Sequence, residues 1–318
     1  MRALQVTEFG IAPSLADCDL SEPGPGEVRL RVEACGLNFA DLLMIKGEYQ
    51  DTPALPFTLG MEFAGTIEAV GKDVAFANGQ RVAVFGGQGG LAEAALVKEE
   101  TCVPLPDAMP STDAAAFQIA YGTSHLALVH RGALQPGEKL LVLGAAGGVG
   151  LTAVEIGAAL GAEVIAVARG AEKLDVARAA GARHLIDAGD PALKDSLKAL
   201  GGIDVVYDPV GGDLAQAALR ACRRGARYLV IGFASGTVPE VKLNHLLVKN
   251  IAVHGFYWGG YLAFDPTALK RSLAELFDLY AEGKLKPHIG LQTDLDGAAD
   301  ALEKLRRRKT TGKVVITP

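Results

Sequence analysis

The stretch Lys139-Leu-Leu-Val-Leu-Gly-Ala-Ala-Gly-Gly-Val-Gly150 limits what this 318-residue chain can fold into more than any other. Leu140 to Leu143 is a short apolar run that stops at a glycine, the pattern of a strand buried on both faces of a parallel sheet. Gly144, Gly147 and Gly150 follow, with Gly148 adjacent. From Val149 to Leu160 apolar residues recur at helical spacing (Val149, Ala153, Ile156, Leu160), and the pattern ends before Gly161. Val164 to Ala168 is apolar again, which completes a strand, helix and strand. Glycine is needed where a strand turns sharply into a helix and a pyrophosphate must approach bare backbone. The N–H groups of Gly148, Val149 and Gly150 would then face the phosphates. A glycine pattern alone is a weak signal; the flanking strand, helix and second strand make it specific.

Strands and helices keep alternating beyond Leu140. Apolar strand cores at Leu140–Leu143, Val164–Ala168, His184–Ile186, Val205–Tyr207, Tyr228–Ile231 and Ile251–His254 are separated by helical patterns. Six such strands predict a doubly wound parallel sheet. Residues 1 to about 110 read differently. Val28 to Glu33 alternates apolar and charged residues, Gly60 to Gly71 reads as a strand pair punctuated by glycine, and Arg81 to Phe85 follows the Asn78-Gly79 turn signal. Asn38 to Ile45 reads as a short helix with Asp41 near its start, and a second helix is expected from Asp113 to about Arg131. Short strands with Gly/Pro turns predict a barrel-type β domain, so the fold class is α/β with two domains. The expected division is 1–117, then the sheet over 118–258, then 259–318 returning to the first domain with the helix Thr267–Glu282 and the strand Lys313–Thr317.

A net charge of −6 argues against a nucleic-acid or anionic-membrane binder. No apolar run reaches bilayer length and the start of the chain lacks a signal-peptide pattern. Four scattered cysteines without a CxxC suggest free thiols in a reducing, cytoplasmic setting.

The segments Ala34–Asp41, Leu59–Gly71, Gly144–Gly150, Tyr207-Asp-Pro-Val-Gly-Gly212 and Val230–Ala234 together resemble the zinc-free quinone oxidoreductases, the zeta-crystallin relatives among medium-chain dehydrogenases/reductases. The resemblance covers nearly the whole chain and implies a GroES-like catalytic domain with a Rossmann domain. Zinc-dependent relatives carry cysteine where this chain has Asn38 and histidine where it has Met61. An amide and a thioether are poor zinc ligands, so no metal is expected.

The resemblance also implies a site. An NAD enzyme usually ends its second strand with a carboxylate for the ribose 2′-OH, whereas this chain has Arg169, which suits a 2′-phosphate and hence NADPH. Lys173 and Arg308 match residues with the same role, while the tyrosine that often joins them is Ala188 here. Asn38, Asp41 and Tyr49 match residues lining an active cleft expected between the domains; Asn38 could equally cap the following helix, and Tyr49 could be a partly buried loop aromatic. Thr123 matches a threonine near the nicotinamide. Gly232, Phe233 and Ala234 match backbone contacts to the nicotinamide ribose and carboxamide. Phe256 and Trp258 belong to an aromatic run that either walls the pocket or fills a dimer interface. The implied reaction is hydride transfer to a small-molecule quinone or α,β-unsaturated carbonyl, in a homodimer that engages neither nucleic acid nor membrane. The alternatives are an enoyl-thioester reductase of the acrylyl-CoA type, or a non-enzymatic NADPH- or RNA-binding protein.

Overall fold

A computed structural model describes every residue, Met1–Pro318. The chain forms two compact units, Met1–Ile119 with Pro287–Pro318, and Ala120–Lys286.

The second unit is built on six strands, all parallel, in the spatial order His184–Asp187, Glu163–Ala168, Lys139–Leu143, Ile203–Asp208, Cys222–Val230, Ala252–Gly255. That is the doubly wound order, first strand central, with the crossover direction reversing beside it. Leu140 to Leu143 are wholly buried, as are Val164 to Val167, because helices cover both faces. The first crossover helix runs Gly148–Ala159. The helix expected over 113–131 is two helices, Ser111–Ala115 and Gln118–His125, the latter widening into a π-helical turn over Leu126–Arg131.

The helix Pro266–Ala281 belongs to this second unit, not to the first as its sequence position suggested. Its apolar stripe, Leu269, Leu273 and Leu276, is buried, and Ser272 Oγ lies 2.9 Å from His125 Nδ1. A helix docks wherever its apolar stripe finds a matching face, and chain order does not decide that. Asp265 caps its start by accepting the Ala268 N–H at 3.0 Å. The return to the first unit comes at Pro287.

The first unit holds a seven-stranded sheet centred on the long strand Glu27–Leu37, which pairs with Glu62–Val70, Ala94–Lys98 and the final strand Lys313–Thr317. Gly60 to Gly71 is therefore one strand, Glu62–Val70, where a pair was expected. Its neighbour on the far side is Arg81–Phe85. Ile289–Asp294 extends the sheet as a parallel neighbour of Lys313–Thr317. A three-stranded sheet of Ser14–Asp17, Arg2–Val6 and Phe57–Thr58 completes the β framework. The core joins Leu30, Val32, Phe63, Ile67 and Val84 to Leu302, Val314 and Ile316 from the chain's end. No helix is long and apolar enough to cross a membrane.

Candidate functional site

In the second unit the turn after the central strand is made of backbone. Gly144 takes φ 63°, a left-handed conformation that L side chains rarely adopt. Gly147 folds back with its N–H on Gly144 O at 2.9 Å. A Cβ on Gly150 would stand 2.2 Å from Gly144 O, so the helix start can lie this close to the turn only as glycine. The N-cap is Gly147, and no side chain caps the amides that follow. Gly147 is exposed and Gly148 and Val149 are half-buried, so uncapped N–H groups and the positive end of the helix dipole are presented at an open surface.

At the end of the next strand Arg169 is exposed and Lys173 half-buried. The Asp187 carboxylate, one strand over, accepts the N–H of Gly170 and of Gly189, each at 2.7 Å, and these bonds with Arg169 nearby hold it below the usual aspartate range. Asp187 thus fixes the backbone that carries Arg169, a contact no sequence spacing announced.

Asp208 does the same work after the fourth strand. Oδ1 accepts Val210 N–H at 2.8 Å and Gly211 N–H at 2.9 Å, and Oδ2 accepts the Tyr228 hydroxyl at 2.6 Å. Burial and this carboxylate push the Tyr228 phenol well up, which keeps it a donor. Ala234 N–H in turn reaches Pro209 O at 3.0 Å, and Gly232 N–H reaches Asp208 O at 3.3 Å, so the two loops are tied together. Phe233 between them is exposed. Phe256 and Trp258 are buried and pack inward: a Cβ on Gly122 would lie 2.7 Å from Trp258 Nε1, and Phe256 stacks at 5.5 Å on Tyr261. Thr123 lies beside Gly122 on the same helix and is buried.

In the first unit Asn38, Asp41, Glu62 and Lys313 form one buried polar cluster. Asn38 precedes the helix Phe39–Lys46 and forms a capping box with Asp41. The Asp41 carboxylate accepts the Asn38 N–H at 2.7 Å, and the Asp41 N–H turns back onto the Asn38 backbone oxygen at 3.1 Å. Asp41 also takes Gly60 N–H at 3.3 Å, tying the helix to the turn before Glu62–Val70. Burial raises the Asp41 carboxyl to about 6, against the pull of those two amides and of Lys313. Burial likewise drives the Cys35 thiol well up, so it is inert as a thiolate.

The Lys313 ammonium sits 2.6 Å from Glu62 Oε1 and 2.8 Å from Asn38 Oδ1. Glu62 Oε2 accepts Ile119 N–H at 2.8 Å. Both amide N–H groups of Asn38 are engaged, by Gly36 O at 3.2 Å and Glu62 Oε1 at 3.0 Å, so its amide donors are already partnered. Tyr49 is half-buried against the core of the same unit. Arg308, with φ 55°, follows the helix Ala298–Arg306, also in this unit. Met61 is buried in the core. The donors around Glu62 are an amide and an ammonium, and an ammonium repels a metal cation where a thiolate or imidazole would bind one.

The comparisons with known proteins agree with this architecture. Residues 24–107 match the alcohol dehydrogenase GroES-like domain and residues 148–278 the zinc-binding dehydrogenase domain. Quinone oxidoreductase-like protein 2 of Bos taurus is 40% identical over 298 residues, covering 92% of this chain and 85% of that protein. The crystal structure of Escherichia coli quinone oxidoreductase complexed with NADPH superposes with a TM-score of 0.93 at 29% identity, covering 100% of both chains. That of the Thermus thermophilus quinone oxidoreductase, also described in complex with NADPH, gives 0.88 at 34% identity, again covering 100% of both. With its GroES-like unit, its doubly wound unit and Asn38 and Met61 where zinc ligands would stand, the chain belongs to the zinc-free quinone oxidoreductase family of the medium-chain dehydrogenases/reductases.

Proposed function

We propose that this protein is an NADPH-dependent oxidoreductase whose acceptor is a quinone or an α,β-unsaturated carbonyl. The observation that carries the reading is the glycine turn Gly144–Gly150, where a Cβ at Gly150 would strike Gly144 O and the helix amides lack a side-chain cap. Such a turn fits a pyrophosphate. Arg169, where a carboxylate would select NAD, and Lys173 on the next helical turn suit a 2′-phosphate. The two quinone oxidoreductases above, both described with NADPH, support the same cofactor.

When bound, the reduced nicotinamide supplies the hydride. The chain's own part is to place it. Asp208 holds the loops that carry Gly211, Gly232 and Phe233, which we assign to the nicotinamide side with Ala234 and Thr123. Phe256 and Trp258 we assign to the same side, where they are buried against Tyr261 and Gly122. On the acceptor side we assign Asn38, Asp41 and Tyr49, with Arg308 a further phosphate ligand. The Tyr49 hydroxyl is the donor we assign to the acceptor oxygen that gains charge.

We further infer a homodimer. The outer strand Ala252–Gly255 leaves one edge of the six-stranded sheet unpaired, and Val253, with Leu243, Leu247 and Val248 on the preceding helix, is an exposed apolar residue. A second copy of the same edge would cover both. Four free cysteines, two of them buried, suit a reducing cytoplasmic compartment.

The test is NADPH oxidation with benzoquinone, naphthoquinone and a panel of enones. Turnover with one of them, faster with NADPH than with NADH, is the expected result. No turnover with any acceptor would overturn the assignment.

A further inference from the structure

Lys313 is a fully engaged charge in the first unit, and its side chain is only 4% exposed. Its three N–H groups are taken by Leu37 O and Asn38 Oδ1 at 2.8 Å and Glu62 Oε1 at 2.6 Å. A lysine ammonium has donors and no acceptor, so the Asn38 atom that faces it must be the oxygen. The amide nitrogen is then turned toward acceptors, and it finds Gly36 O and Glu62 Oε1. Glu62 closes the network, because its second oxygen holds Ile119 N–H where the helix Gln118–His125 begins. Gly36 O and Glu62 Oε1 only accept, so they hold the amide nitrogen on their side, while Lys313 holds the oxygen on the other. Lys313 thus pins the oxygen end of Asn38, directly at Oδ1 and indirectly by holding Glu62 in place.

We propose that Lys313 is a positioning residue of the acceptor site, acting through the Asn38 amide and the Glu62 carboxylate without touching the acceptor. The proposal rests on the reading of the chain as an NADPH-dependent reductase whose acceptor lies by Asn38. It has a chemical consequence. Both N–H groups of Asn38 are engaged, and its oxygen accepts from the Lys313 ammonium. That uses both of the donors an amide has. Asn38 then gives no hydrogen bond to an acceptor carbonyl and meets the acceptor as a fixed amide plane. Burial sharpens this, since a half-satisfied polar network in a low-dielectric interior rearranges and does not stay put.

The experiment compares Lys313→Met, Asn38→Leu and the double variant with the wild-type chain. Lys313→Met should lower kcat for naphthoquinone at saturating NADPH by roughly tenfold to a hundredfold, the size of effect expected from misplacing a site group. NADPH affinity, read by fluorescence titration, should stay within about twofold, because the variant leaves the glycine turn untouched. Asn38→Leu strips Lys313 and Glu62 of a partner and should lower kcat by a similar factor. The double variant should fall no further, since one residue acts through the other. If Lys313→Met does not fold, Lys313→Met with Glu62→Met removes both charges together, which buried pairs tolerate better, and is expected to show the same kcat loss. The side-chain amide protons of Asn38, followed by 15N NMR, should exchange slowly in the wild type and rapidly in the variant. A folded variant with wild-type kcat, an equal loss of NADPH affinity, or unchanged amide exchange would overturn the proposal. A wild-type chain that reduces no acceptor would instead sink the functional reading, and the amide exchange would still decide the role of Lys313.

Discussion

The two units hold their candidate sites with opposite materials. In the second unit the turn Gly144–Gly150 is backbone, and its defining property is the room left by missing Cβ atoms. In the first unit the cluster is side chains, Asn38, Asp41, Glu62 and Lys313, drawn from segments as much as 275 residues apart and closed off from water. A backbone site fails when anything is added to it. A side-chain site fails when anything is taken away, because a buried partner is left unsatisfied.

The sharpest way to break the first half of that contrast is Gly150→Val. The obstacle, Gly144 O at 2.2 Å, is backbone and cannot swing aside. The turn must open, and NADPH affinity is expected to fall by roughly a hundredfold or more, about 3 kcal/mol. Fluorescence titration with NADPH checks this; near-wild-type binding would show that the close approach is not what forms the site. Next in size is Arg169→Asp. A carboxylate beside a 2′-phosphate should raise KM for NADPH roughly tenfold to a hundredfold and leave KM for NADH nearly unchanged. Equal effects on the two cofactors would remove Arg169 from phosphate recognition.

The same contrast explains what could be read from the sequence. The glycine turn was legible because its requirement is local: strand, glycines and helix follow one another within a dozen residues. The six strands were legible because a strand buried on both faces is a continuous apolar run, as at Leu140–Leu143. Lys313 was not legible. It opens the strand Lys313–Thr317, where a lysine reads as the polar end of an apolar segment, and nothing local says that Glu62, 251 residues earlier, will meet it. Ile289–Asp294 escaped because only one of its faces is half-buried and the run is short. The helix Pro266–Ala281 is legible as a helix, but its place in the second unit is not, since amphipathic spacing gives an apolar face without naming what that face meets.

The side-chain half of the comparison predicts a pH dependence. Burial raises the Asp41 carboxyl from the ordinary 3.8 to about 6, so the folded chain binds that proton more tightly than the unfolded chain does. The penalty for keeping Asp41 ionised is present at neutral pH and is relieved as pH falls through about 6. The charges facing it are Lys313, which favours the anion, and Glu62, which opposes it. Unfolding in urea at a series of pH values, with Asp41→Asn as the non-titrating reference, measures this contribution. The wild type should gain about 2 kcal/mol relative to the variant between pH 7 and pH 4. A difference that stays flat, or falls, would mean that the carboxylate is better solvated than its burial implies.

The smallest effect is expected where a charge cluster is most visible in the sequence, at Arg306 to Lys309. Arg306 and Arg307 both reach Glu303, the former with Nε at 2.6 Å from Oε2, and all three side chains are open to water. These bonds hold the Glu303 carboxyl down to about 2, a large displacement with little stability behind it, because water solvates the separated charges almost as well and salt screens them. Glu303→Gln should leave the thermal midpoint unchanged within error at ordinary ionic strength, whereas Glu62→Gln, whose carboxylate is fully buried against Lys313, should lower it clearly. Two glutamates of one unit would then differ chiefly by access to water, with the Ile119 N–H bond adding to the loss at Glu62. A midpoint that dropped equally in both variants would show that burial is not what gives the Lys313 cluster its weight.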